Sequence, residues 1–285
     1  MFYSPFRYPG GKNRLSSFIS DVCDNNNIHG HYIEPYAGGA SVGLTLLLEG
    51  KVSTVTINDI DRSIYSFWYS VLNRTEELCK LIEKTEITIY NWKKAKAVQK
   101  YKQYANLLEL GFSTFFLNRT NISGIIDAGV IGGINQNGKY KIDCRFNKFS
   151  LIERIKKIAE HKINIKIYNM DAIKLVRRIQ RKNGNSKTIY YFDPPYYLKG
   201  QSLYVNHYTP KDHRDVAKEI KNIKRSKWIV SYDDVPQIKK YYTWVKNRIQ
   251  YSLPHSVYKP KEGKEILFFS NNLEIDKKIN PISVS

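Results

Sequence analysis

Short apolar runs alternate with stretches of helical periodicity along most of this chain. His31-Tyr32-Ile33-Glu34 and Thr54-Val55-Thr56-Ile57 read as strands, with β-branched and aromatic residues bounded by polar positions. Val42 to Leu48 between them reads as a helix, as does the segment from Lys12 to Cys23. The same alternation returns later, with a strand at Ile165–Tyr168, a helix at Ala172–Arg181 and a strand at Thr188–Phe192. A helix from about Asp212 and a strand at Trp228–Tyr232 follow. Arg248–Leu253 and Glu265–Ser270 complete the set with no helix between them, which predicts an antiparallel pair. Strands alternating with helices predict an α/β, Rossmann-like, mostly parallel sheet with helices on both faces.

The pattern breaks between Ile60 and Ser150. Apolar residues recur there at helical spacing from Ile64 to Leu72 and from Leu107 to Phe116, and little strand pattern separates them. A loop rich in Gly and Asn runs from Gly124 to Lys141. This stretch reads as an inserted helical domain, residues 62–150, within an α/β domain formed by 1–61 and 151–285.

Candidate chemistry lies where strands stop. The run Thr188–Phe192 ends at Asp193-Pro194-Pro195-Tyr196, where two prolines forbid continuation as strand or helix. The turn sets a carboxylate and a backbone carbonyl side by side at the C-terminal edge of the sheet, where open α/β folds bind ligands. Two acceptors beside an aromatic ring suit an exocyclic amino group on a flat base; an ordinary strand-to-loop turn is the alternative for these residues alone. Glu34 ends the first strand, Asp59 follows the second and Asp171 follows the third. For Asp59 and Asp171 an N-cap is the competing role. The turn Gly38-Gly39-Ala40-Ser41-Val42-Gly43 departs from G-x-G-x-x-G, which argues against a pyrophosphate and leaves room for an uncharged or zwitterionic ligand.

Charge adds a partner. The formal net charge is +20, distributed as −2 over residues 1–61, +7 over 62–150 and +15 over 151–285. Clustered Lys and Arg at this excess point to a polyanion. Cys23, Cys79 and Cys144 show no metal-ligand spacing and read as reduced thiols of a cytoplasmic protein. No run of about 18 apolar residues occurs, so no membrane span is expected.

Five motifs occur in order: R-Y-P-G-G-K from Arg7 to Lys12, E-P-Y-A-G-G from Glu34 to Gly39, N-D at Asn58–Asp59, N-R-T-N at Asn118–Asn121 and D-P-P-Y at Asp193–Tyr196. Their order and spacing resemble the Dam-like family of DNA adenine-N6 methyltransferases, over Phe6 to about Asn271. The resemblance implies S-adenosylmethionine as cofactor, no metal, and double-stranded DNA as partner, with room for a cognate restriction endonuclease encoded elsewhere. It implies that Tyr8, Lys12, Glu34 and the Gly38 turn meet the methionine portion. Asp59 would hold the ribose hydroxyls, Asp171 would lie near the cofactor adenine, and Asp193, Pro194 and Tyr196 would be catalytic. The insertion would be the target-recognition domain, with Asn118, Arg119, Lys139, Lys141 and Arg145 at the DNA. The sequence after Asn118-Arg119 differs from that of members reading G-A-T-C, so the target site stays open.

The chemistry that follows is methylation of adenine N6 in an extruded base. The N6 lone pair is delocalised into the ring, and hydrogen bonds to Asp193 and the Pro194 carbonyl would localise it, with Tyr196 stacked on the base. A cytosine-N4 methyltransferase shares this mechanism but more often carries serine in place of Asp193. A non-enzymatic DNA-binding regulator explains the charge and leaves Asp193 without a purpose.

Overall fold

The computed structural model describes residues 3–7, 12–183, 185–198, 208–255, 261–275 and 281–282. Its strands are β1 (His31–Glu34), β2 (Thr54–Asn58), β3 (Ile165–Tyr168), β4 (Thr188–Phe192), β5 (Lys227–Asp233), β6 (Asn247–His255) and β7 (Lys261–Phe269). They form one sheet in the order β3-β2-β1-β4-β5-β7-β6. The first five are parallel, and β7 runs antiparallel to both β5 and β6. The antiparallel pair expected at the C-terminal end is present, with β7 inserted between β5 and β6.

Strand alternation assigns the two faces. Tyr191, Ile229, Leu267 and Phe269 belong to one core, and Tyr190, Phe192, Val230 and Phe268 to the other. Burial on both faces accounts for the near-continuous apolar strands. The first core also receives α1 (Ser16–Asn25) and α2 (Ser41–Leu48), and the second receives α8 (Ala172–Asn183), α9 (Pro210–Lys221) and α10 (Pro236–Tyr241). This is a mixed α/β fold, a central sheet flanked by helices.

Between β2 and β3 lie α3 (Arg62–Asn73), α4 (Thr75–Lys84), α5 (Ile89–Lys100), α6 (Leu107–Thr120) and α7 (Lys148–Glu160). The boundary expected at residue 150 falls inside α7, because Leu151, Ile155 and Ile158 form one helical stripe through it. Nor is the helical region separated from the sheet by a core of its own. Phe67, Phe115, Phe116 and Ile155 belong to the same apolar cluster as Tyr32, Val55 and Ile57. Phe67 and Phe115 stack with centroids 5.5 Å apart, and a side chain at Gly111 would strike the Ser66 carbonyl, so α3 and α6 cross in close contact. The helices are thus braced against the edge of the sheet that carries the site.

Candidate active site

Parallel strands end on the same side, and the order of this sheet reverses between β1 and β4. The crevice at such a reversal is the ligand site of open α/β folds. Glu34 ends β1, Asp59 follows β2 and Asp193 follows β4. All three line one cavity of about 450 Å³, within the size range of small-molecule sites.

Asn58 braces the crevice. Its buried side chain donates to the Pro35 carbonyl at 2.8 Å and to the Met170 carbonyl at 2.9 Å, and accepts from the Met170 N–H. Three strand ends are thereby tied together. Asp59 accepts from the Gly38 N–H at 3.1 Å and from the Asp61 N–H at 2.9 Å. The helix cap is Asp61, whose carboxylate accepts from Ser63 at the start of α3, so Asp59 is left to face the cavity. Burial pushes its carboxyl up to about 7, opposed by the two backbone donors. Glu34 is pushed up to about 8, again by burial, although the Gly43 N–H donates to it at 2.9 Å.

The glycine turn positions more than it touches. Gly38 has φ of 47°, donates to Asp59, and accepts from the Trp68 indole at 2.9 Å. The cavity wall itself is Ala37, Gly39 and Ala40. Asp171 accepts from the Lys174 N–H at 3.0 Å, the capping geometry for α8, while its neighbours Met170 and Ala172 line the cavity. Tyr8 lies outside the described residues.

Asp193 presents a quarter of its side-chain surface. Its Oδ1 accepts from Ser231 at 2.6 Å, and Ser231 accepts from Tyr191 at 3.1 Å. The Lys12 ammonium stands 3.6 Å from the same oxygen. Among the described residues Oδ2 has no hydrogen-bond partner, and Asp193 lines the cavity. Desolvation raises the carboxyl, and Lys12 and Ser231 draw it back toward the ionised form.

Two of the expected residues are tied to partners inside the protein. Lys12 lines the cavity, and its charge is engaged within the protein. Its side chain is 3% exposed, and the ammonium donates at 2.8 Å to both the Tyr196 hydroxyl and Glu265. Tyr196 is buried, its hydroxyl donates to Glu265, and Pro195 rather than Tyr196 forms the cavity wall. The tyrosine hydroxyl finds its partners inside the protein.

The rings lining the cavity include Tyr36 and Tyr208, joined through their hydroxyls at 3.0 Å. Sequence reading missed these two, as it missed Ser231, Tyr251 and Glu265. Tyr36 stands within the E-P-Y-A-G-G motif, and Glu265 is a lone acid opening an apolar run, a signal that was available.

On the helical side, Asn118 is fully buried. It accepts from the Arg7 N–H at 2.7 Å and donates to the Arg7 carbonyl and, at 2.9 Å, to the Gly124 carbonyl. Its expected place at the DNA is therefore corrected: all its polar atoms are engaged inside the protein. Gly124, with φ of 76°, lies where a Cβ would meet the Arg7 carbonyl. Arg119 behaves differently. It lines the cavity, donates to the Arg145 and Pro5 carbonyls, and is pulled down to about 10 by burial and by Arg7, Arg154 and Arg145. Arg7 and Arg154 share that wall, and among the described residues none of these four arginines has an acidic ion-pair partner. Lys139, Lys141 and Arg145 are exposed on the neighbouring loop.

Among the described residues no group of three or more His, Cys, Asp or Glu is arranged to hold a metal ion, and no helix is long and apolar enough to cross a membrane.

The chain is 25% identical over 230 residues to the Type II methyltransferase M.MjaIII of Methanocaldococcus jannaschii, an alignment covering 75% of this chain and 76% of that one. Among solved structures it resembles the rRNA methyltransferase aviRa of Streptomyces viridochromogenes, with a TM-score of 0.40 and 10% identity over 92% of this chain and 86% of the other. Residues 8–260 match the model of the D12 class N6 adenine-specific DNA methyltransferases. The chain belongs to that family and is a methyltransferase of nucleic-acid bases.

Proposed function

We propose that this protein transfers a methyl group from S-adenosylmethionine to N6 of adenine in double-stranded DNA, at a specific site, in a restriction-modification or DNA-marking role. The observation that carries the reading is Asp193, held at the cavity edge with Oδ1 engaged by Ser231 and Oδ2 without a partner among the described residues.

The cavity residues fit the cofactor. Asp59, fixed by two backbone donors, would accept from both ribose hydroxyls, and the backbone at Ala37–Ala40 allows close approach. Tyr36, Tyr208 and Met170 supply apolar surface for a planar base. S-adenosylmethionine bound here would supply a sulfonium-activated methyl group.

The protein's own task is to prepare N6. One amino proton would be held by Asp193 Oδ2 and the other by the Pro194 carbonyl. This draws the nitrogen toward pyramidal geometry and localises its lone pair. Ser231 and Lys12 fix the carboxylate in place, so the acceptor is organised before substrate arrives. An adenine inside a duplex cannot reach this crevice, so the nucleotide leaves the stack. Lys139, Lys141 and Arg145 would hold DNA phosphates beside the entrance, with Arg119 at the cavity wall.

Asp193→Ala tests the reading. Methyl transfer should fall by about 100-fold or more, the loss expected for one essential electrostatic contact, with the thermal transition retained. Turnover near wild type would refute it.

A further inference from the structure

The motifs do not explain the sealed cluster behind the catalytic turn. Lys12 and Glu265 have side-chain exposures of 3% and 2%. Glu265 accepts from Lys12 at 2.8 Å, from Tyr196, and from Tyr251 of β6. Burying an ion pair is expensive and contributes little net stability, so packing alone is a poor reason for it. Position gives a better one: the ammonium that serves Glu265 also stands 3.6 Å from Asp193 Oδ1, the nearest cation to it among the described residues.

The surroundings of Asp193 come from several elements. They are Lys12 from the N-terminal turn, Glu34 from β1, Tyr191 from β4, Ser231 and Tyr232 from β5, Tyr196 from the catalytic turn, Tyr251 from β6 and Glu265 from β7. Within this set Lys12 is the cation. Two acids thus share one positive charge, and the shorter contact belongs to Glu265.

We propose that Glu265 is a positioning residue that governs the ionisation of Asp193 by competing for the ammonium both acids share. Lys12 keeps the catalytic carboxylate charged in a desolvated crevice, and Glu265 limits how strongly it does so. An acceptor clamped too tightly by a cation is a poor acceptor for N6 protons; an uncompensated one takes up a proton and stops accepting. The role assigned to Asp193 rests on the proposed function; the charge coupling does not.

The test is a carbon-13 titration of the aspartate carboxyls in protein free of substrate, with the Asp193 resonance assigned by its loss in Asp193→Asn. Glu265→Gln preserves shape and removes the charge, so the Asp193 midpoint should fall by about one pH unit. Lys12→Met should raise it by about 1–3 pH units, the range for an opposite charge at this distance. Tyr251→Phe removes a hydroxyl and no charge, and should leave the midpoint in place. The acidic limb of kcat should move in the same order. An unmoved or raised midpoint in Glu265→Gln, or an equal shift in Tyr251→Phe, would overturn the proposal and leave the cluster a structural brace. If Lys12→Met does not fold, the contrast between Glu265→Gln and Tyr251→Phe still decides. Because the titration uses no DNA or cofactor, a protein that methylates no adenine would refute the proposed function without altering this result.

Discussion

Replacing Asn118 by alanine separates the two roles open to the N-R-T-N motif. In the structure its side chain makes three bonds: from the Arg7 N–H, to the Arg7 carbonyl and to the Gly124 carbonyl. The Arg7 bonds are part-buried, so water recovers some of the loss, at about 1 kcal/mol each. The Gly124 bond is buried, and its orphaned carbonyl costs about 1–3 kcal/mol. Asn118→Ala should therefore destabilise by about 3–5 kcal/mol. At about 2–4 °C per kcal/mol for a chain near this size, Tm should fall by at least about 6 °C. Asn118→Asp should do no better, since it keeps one acceptor, loses both donations and sets a carboxylate against two carbonyls. The freed segment carries Ser4, Phe6 and Arg7 of the cavity wall, so DNA and cofactor affinity should weaken together with site preference intact. Urea denaturation and separate binding titrations measure both. Stability within about 0.5 kcal/mol of wild type, with selective loss of DNA binding or altered site preference, would restore Asn118 to the DNA interface and refute the reasoning.

Above about pH 8, where its carboxyl is ionised, Asp59→Ala should weaken S-adenosylmethionine binding by on the order of 1.5–3 kcal/mol, the value of bonds to a charged acceptor, and leave DNA binding nearly unchanged; equal loss of both would make Asp59 a structural residue. Glu34 and Asp59, raised by burial to about 8 and about 7, take up protons in the folded state that ordinary unfolded carboxyls do not. Stability should therefore rise as pH falls from about 8 to 6.5. Below 6.5 the half-buried His31 and the buried His213, pulled to about 4, oppose that rise because the unfolded chain then binds more protons. Urea midpoints that stay flat from pH 8 to 6.5 would contradict this sign. Replacing Arg145 by alanine should weaken DNA binding with cofactor affinity unchanged: a phosphate contact lowers the salt slope by about one, and a base contact relaxes one position of the site. A shift in neither removes it from the interface.

The sheet was legible because its strands are short apolar runs stopped by polar or proline turns. β1, β3 and β4 lie where the pattern puts them. The helical region was harder. In α5 only Ala95 is buried, so no apolar stripe marks it, and α7 was divided by a boundary placed where composition changed. The acids at strand ends were visible because parallel strands bring their C-terminal ends together. The Lys12–Glu265 pair joins residues 253 apart, a closeness that local pattern does not encode. Asn118 and Arg119 read as one motif, yet neighbours on a helix point about 100° apart, and one is buried while the other faces the cavity. Tyr196 was read from its ring, and its hydroxyl decided its place.

The central claim is the modified atom. Duplex DNA incubated with the protein and S-adenosylmethionine, then digested to nucleosides and resolved by mass spectrometry, shows directly which base gains the methyl group. N6-methyladenine should accumulate with wild type and be lost with Asp193→Ala. N4-methylcytosine as the product, or methylation confined to RNA, would contradict the account.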